Sequence, residues 1–272
     1  MRNHTLTIHP SVFFGLTFLL SWLIWIPLTL SHFGLGPLDV PDGASQIIRL
    51  LGVLMPATAA LILTGRGGGR PALRALLGRL ALWRVGAAWW AAAALVQPAL
   101  LVLVFIIYNL VSGRQSISPV APGPAAAFII NCLFLLLATL GEEIGWHGVA
   151  LPNLQRQRSA LASSIILGLV WAAWHIPFWL LLDTYDQFGL AYLALNFLFV
   201  MPLTFYTTWF FNHTRSSLLL PVAFHVTFNI VNTALLPVTT NIGAFMVLII
   251  LEWCLAGLVL RHLEGDREQE PV

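Results

Sequence analysis

The sequence predicts an all-α polytopic membrane protein: one domain over residues 1–272, built as a bundle of about eight transmembrane helices around a polar intramembrane cavity. Three observations carry this. First, 58% of the residues are hydrophobic and only 9% are charged. A soluble domain carries roughly 25% charged residues, so this chain cannot cover a water-facing globule. Second, apolar runs long enough to cross a bilayer, about 20 residues each, recur along the chain. Third, the 13 basic residues are all arginine and collect in alternate loops. Against 11 acids the balance is only +2. A soluble enzyme, a disordered chain and a nucleic-acid binder are therefore excluded as classes.

The segments follow in order. The polar start MRNHTLTIHP leads into an apolar run at about 11–30, long enough to span and with no small-residue cleavage site after it. It is read as a retained helix. The second segment, about 46–64, lies between the turn-rich stretches HFGLGPLDVPDG and TGRGGGRP. The third covers about 86–112, and SPVAPGP introduces a long fourth at about 124–155, polar in its second half. The others are read at about 160–182, 190–211, 216–236 and 241–261.

Arginine-rich short loops stay in the cytoplasm. Arg66, Arg70, Arg74, Arg79 and Arg84 fill the loop after the second segment, which makes that loop cytoplasmic. Arg156, Arg158, Arg215, Arg261 and Arg267 then fall on the same side, as does Arg2. The other side receives Arg49 and Arg114, with Asp39, Asp42, Asp183 and Asp186. Both termini are expected in the cytoplasm. The stretch RPALRALLGRLALWR alternates arginine with Leu and Ala at helical spacing and is expected to lie flat on the cytoplasmic leaflet. Cys132 and Cys254 sit in apolar runs, as core residues do. Arginine-only usage and richness in Ala and Leu point to a bacterial cytoplasmic membrane.

In such a chain the informative residues are the ionisable ones inside helices, where a carboxylate at mid-bilayer costs about 2.5–3.5 kcal/mol. GEEIGWHG holds Glu142 and Glu143, which on a helix point about 100° apart. His147 follows Glu143 by four residues and shares its face. WAAWHIPFW holds His175, with Trp171 one turn before it. FHVTFN presents His225 and Asn229 on one face, and Asn232 extends that line. Two carboxylates, two histidines and an amide on three helices are what hydrolysis inside a membrane requires. A carboxylate takes a proton from water, imidazoles hold a divalent metal or polarise a carbonyl, and an amide N–H stabilises an oxyanion.

GEEIGWHG, WAAWH and HVTFN, in that order, resemble the three motifs of the CPBP intramembrane proteases, the CAAX-protease and bacteriocin-processing ("Abi") membrane proteins. That pattern reads Glu-Glu-x-x-x-Arg, aromatic-x-x-x-His, His-x-x-x-Asn. The resemblance covers about residues 124–236, and ALPNLQ and LLLPVAFH also read like bacterial members. It implies an eight-helix fold with a cavity opening to the cytoplasm, as in type II CAAX prenyl endopeptidases. It implies Glu142 as the water-activating base and Glu143 as its acidic partner. His175 would position the water or bind metal, and His225 and Asn229 would contact the metal or the oxyanion. The implied metal set is Glu142, His175 and His225, with zinc or another divalent ion. Water activation without metal is the other reading, and no organic cofactor is implied. His147 stands where the family has arginine. Arginine is always charged and forks to a carboxylate, whereas neutral histidine does not. His147 is then a stand-in when protonated, an extra metal ligand, or the mark of a chain that no longer cleaves.

Other membrane protease chemistries lack their residues. There is no His-Glu-x-x-His, the Gly43-Ala44-Ser45 stretch lies in an Asp- and Pro-containing loop, and Tyr185-Asp186 has no Gly-x-Gly-Asp partner. GRGGGR lacks the Lys-Ser/Thr of a phosphate loop and reads as a flexible turn. Two competing classes stay open: a non-catalytic membrane scaffold or immunity factor, and a proton- or metal-coupled transporter. A transporter tends to show matched halves, whereas the ionisable cluster here is read only in the fourth to seventh segments. The expected activity is an intramembrane endopeptidase with a cytoplasm-facing site. Its expected substrate is a membrane-associated protein or peptide, and the lipid bilayer is its other partner. No nucleic acid is expected, and the oligomeric state is left open.

Overall fold

A computed structural model describes residues 7–36, 40–112, 117–121 and 123–265. Arg2, Asp39, Arg114, Arg267 and the tail from residue 266 lie outside the described residues. The described residues form helices and no strand: α1 (Pro10–His32), α2 (Asp42–Val53), α3 (Met55–Gly78), α4 (Ala87–Ser112), α5 (Ala125–Gly145), α6 (Leu151–Gln155), α7 (Ala160–Trp174), α8 (Ile176–Trp179), α9 (Asp183–Phe188), α10 (Leu190–His213), α11 (Leu219–Ile230) and α12 (Ile242–Gly265). Among them are six helical segments long and apolar enough to cross a membrane, plus the shorter apolar helices Ala160–Trp174 and Leu219–Thr233. All eight expected segments are present, and the chain is a multi-pass membrane protein.

Its polarity is inverted relative to a soluble globule. Large apolar side chains such as Leu23, Leu95, Ile130, Leu133, Ile250 and Leu258 face outward, toward what lipid would fill. Small polar side chains such as Ser21, Thr139, Ser164, Thr204 and Thr207 are buried between helices. In lipid these hydroxyls must find partners inside the protein. Several bond back one turn, as Thr204 does to the Val200 carbonyl at 2.8 Å and Thr207 to that of Leu203 at 2.9 Å.

Proline and glycine decide where the expected segments break. The second segment is longer than expected and bends between α2 and α3, with Pro56 in the first turn of α3. Gly69, at φ 61°, interrupts α3, and the arginine-bearing stretch continues beyond it as helix. The fifth segment stops at Trp174 instead of running to 182. Pro177 has no N–H for the Ala173 carbonyl, so the ladder ends and the short α8 follows. α1 braces this break. Trp22 Nε1 donates to the Trp174 carbonyl at 3.1 Å, and Thr29 Oγ1 to the Pro177 carbonyl at 3.1 Å.

Two ends of the bundle are distinct. At one, the loop carrying Arg79 to Arg84 is laced to the start of α11. The Leu218 N–H donates to the Arg79 carbonyl at 3.2 Å, Ser217 Oγ to that of Leu82 at 2.8 Å, and Arg215 to that of Arg84. The chain before α1 joins this end through the Ile8 N–H and Asn153 Oδ1 at 3.0 Å. At the other, His32 contacts Asp186 at 3.1 Å, and the Val120 N–H donates to the Leu235 carbonyl at 2.8 Å.

Candidate active site

The first motif is set by close helix packing. A Cβ added at Gly141 would lie 2.8 Å from Leu54 Cδ2, and one at Gly145 would lie 2.5 Å from Pro56 Cβ. Glycines four apart thus let α5 press its backbone against the α2–α3 junction, as small residues do in membrane bundles. Directly after Gly145 the helix widens into a π-helical turn, Trp146–Ala150, a feature common at functional sites. Pro152 cannot donate to the Gly148 carbonyl one turn back. Arg79 Nη1 donates to it instead, at 3.0 Å.

Adjacent on this helix, the two glutamates meet different partners. Glu142 lines a cavity and accepts a 2.6 Å hydrogen bond at Oε2 from Trp171 Nε1. His175 Nε2 is 3.6 Å from the same oxygen, beyond direct hydrogen-bond reach. His175 Nδ1 lies 3.0 Å from the Trp171 carbonyl, which only accepts, so Nδ1 carries the proton. The imidazole is stacked on Trp179 with centroids 5.0 Å apart, which fixes its plane. Glu143 is fully buried behind the cavity wall and lies between two histidines. His225 Nδ1 is 2.9 Å from Oε1, and His147 Nδ1 is 2.5 Å from Oε2, a close ion-pair approach rather than an aligned hydrogen bond. Asn229 lines the cavity one turn after His225, with Nδ2 donating to the buried Thr139 hydroxyl at 3.3 Å.

Glu142, His175, His225 and Asn229 therefore converge on one cavity, while Glu143 and His147 stand behind it. Asn232 does not extend the reactive line. Its side chain donates to the Thr239 hydroxyl at 2.8 Å and accepts from the Thr239 N–H at 3.1 Å. Of the expected metal set, Glu142, His175 and His225 line the cavity, whereas His147 stands behind it on Glu143. The Nδ1 atoms of His225 and His147 are turned to Glu143, and that of His175 to a carbonyl. Among the described residues no three His, Cys, Asp or Glu side chains are disposed to hold an ion.

Sequence reasoning noted Trp171 for its spacing and missed its bond to Glu142, for which the aromatic four residues before His175 was the available signal. It also missed Glu252, fully buried in α12. The ionisable groups are thus not confined to the fourth to seventh segments. Glu252 does not line the cavity, and its backbone carbonyl accepts from Tyr206 at 2.6 Å. A single acid in an apolar run offers no spacing from which to infer a partner.

The cavity encloses about 980 Å³. Its inner wall holds Glu142, Trp171, Leu203 and His225, and its outer rim holds Arg49, Asp183, Asp186, Gln187, Thr239 and Thr240. It thus opens at the arginine-poor end. The cytoplasmic opening implied by the family resemblance and the topology implied by the arginines exclude one another.

Residues 124–231 match the model of a family described as type II CAAX prenyl endopeptidase, Rce1-like. The chain is also 26% identical over 244 residues to CAAX prenyl protease 2 of Methanococcus maripaludis, an alignment covering 86% of this chain and 87% of the relative. The three motifs all fall inside the matched segment. The chain is thus similar to type II CAAX prenyl endopeptidases, as those motifs implied, and the relationship supports an intramembrane protease.

Proposed function

Since residues 124–231 match the model of the Rce1-like type II CAAX prenyl endopeptidases, we propose that this chain is an intramembrane endopeptidase in which Glu142 activates the attacking water. The observation that carries this reading is the convergence of Glu142, His175, His225 and Asn229 on one cavity wall. A water donating to Glu142 and to His175 Nε2 turns its lone pair toward the cavity. Both groups are acceptors, and their 3.6 Å separation suits one shared donor. Glu142 takes one proton as the oxygen attacks the scissile carbonyl. The oxyanion accepts from His225 Nε2–H and from the second Asn229 Nδ2–H. The proton on Glu142 then passes to the amide nitrogen as the carbonyl reforms and the C–N bond breaks, leaving a new amine and a new carboxylic acid that keeps the water's second hydrogen. Trp171 holds the Glu142 carboxylate in position, and Glu143 balances charge on His225. No step is routed through a metal; Nε2 of His175 and of His225 is left open by the Nδ1 contacts, so Glu142, His175 and His225 are the groups that would hold one.

The substrate is a membrane-associated protein or peptide. Because one relative is a CAAX prenyl protease, a fluorogenic farnesylated CAAX peptide is a fitting first probe, beside a bacteriocin-type membrane peptide. The arginine-only composition supports a bacterial cytoplasmic membrane. The test is cleavage of both peptides by the purified protein in proteoliposomes. Glu142→Ala is expected to lower the rate by at least about a hundredfold, the ordinary worth of a general base. Cleavage at full rate in Glu142→Ala would end this reading and leave a non-catalytic scaffold.

A further inference from the structure

The end of the bundle opposite the cavity mouth is sealed. Trp146 and Trp174, fully buried, meet edge to face at 5.4 Å, and Phe13 packs on Trp146 at 5.7 Å. Phe210 and Phe224 fill the adjoining space at 5.2 Å. Beneath these rings run the backbone ties between the 79–84 loop and the start of α11. No residue of that loop, of the π-helical turn or of the 214–218 turn lines the cavity. From Glu142, α5 and α6 continue thirteen residues to Gln155 at the sealed end, about 20 Å at 1.5 Å per residue. From His175 the wall runs the other way, through Trp179 to Asp183 and Gln187.

Charge gives the two ends their sides. Among the described residues nine arginines, from Arg66 to Arg261, lie at the sealed end or on the segments leading to it, and Arg49 alone lies at the mouth, beside Asp183 and Asp186. Short loops rich in arginine are retained in the cytoplasm, and acids count little in this bias. A difference of this size leaves the open end outside.

We propose that the cavity is entered from the extracytoplasmic face, so that the protein acts on exported or outward-facing membrane-anchored segments rather than on cytoplasmic chain ends. The side of access rests on the cavity and the arginines alone, whereas the substrate class rests on the protease reading above. A cavity of about 980 Å³ sits at the upper end of the range for small-ligand pockets and admits a short extended peptide. The rim is polar and the inner wall largely aromatic, which suits a segment whose reacting end dips into the bilayer while the rest stays in water. Both hydrolysis products then leave on the outer side.

Cysteine labelling in intact bacteria tests the side of access. Cys132 and Cys254 are replaced by Ala, and single cysteines are introduced as Gln187→Cys and Thr240→Cys at the mouth and Gln157→Cys at the sealed end. A membrane-impermeant maleimide is expected to label the first two in intact cells, and Gln157→Cys only after permeabilisation. Labelling of Gln157→Cys in intact cells, or protection of both mouth positions there, overturns the proposal. The readout needs no activity, so it stands even if the protease reading fails. Conversely, a mouth labelled from outside together with peptide cleavage indifferent to Glu142→Ala would keep the access side and reject the protease.

Discussion

At the scale of the residue, the site is organised around a division of labour between two adjacent carboxylates. Glu142 faces the cavity and meets one indole donor. Glu143, one position on, is fully buried between His147 and His225. The rotation of about 100° per residue makes this division unavoidable on a helix. His147, which the motif resemblance sets at the position of an arginine, contacts Glu143. Removing it leaves a buried carboxylate oxygen without its partner, a change that costs about 3–5 kcal/mol in buried pairs. His147→Ala is therefore expected to lower the thermal midpoint in detergent sharply, whereas His147→Arg, which restores a charged donor, is expected to keep or raise cleavage. A midpoint unchanged in His147→Ala would remove the pairing role. Complete loss of cleavage in a folded His147→Arg protein would show that the imidazole itself is required.

At the scale of the element, α5 works because it is pressed against the α2–α3 junction. Gly145 admits Pro56 so closely that a Cβ would sit 2.5 Å from the ring and 2.7 Å from the Pro56 backbone carbon, neither of which can rotate away. Gly145→Ala is expected to cost about 1–3 kcal/mol, the range for overpacking, and to slow cleavage by shifting both glutamates. Gly257→Ala on α12 meets nothing within 4 Å and serves as the control, with no expected loss in thermal midpoint. Equal behaviour of the two variants would remove the close-packing argument. The breaks after Trp174 and around Trp146 belong to this scale too. Pro177 and Pro152 each deprive an upstream carbonyl of its donor, and an arginine on another segment repairs the second.

At the scale of the whole molecule, one sealed end and one open end define a vessel within the bilayer. In the proposed mechanism its inner wall supplies acceptors for water and donors for an oxyanion, and no step is routed through an ion. Dialysis against a chelator is expected to leave both peptide cleavage and the thermal midpoint unchanged. Cleavage lost on dialysis and restored by zinc would replace the metal-free mechanism with one in which Glu142, His175 and His225 hold the ion.

Much of this was legible in the residues themselves. Low charge and recurring apolar runs determined the membrane class and the number of segments, because lipid admits few polar side chains and sets the length of a span. The order of three short motifs singled out Glu142, Glu143, His175, His225 and Asn229, because four-residue spacing aligns side chains on a helix whatever the helix packs against. Contacts between helices have no such local signature. Which glutamate faces the cavity, the indole on Glu142, the two histidines on Glu143 and the burial of Glu252 depend on how α5, α7, α10, α11 and α12 are rotated against one another. The end at which the cavity opens is likewise a property of packing. Aromatic rings close one mouth and leave the other free, and only their arrangement in space sets the arginine bias against a cytoplasmic opening.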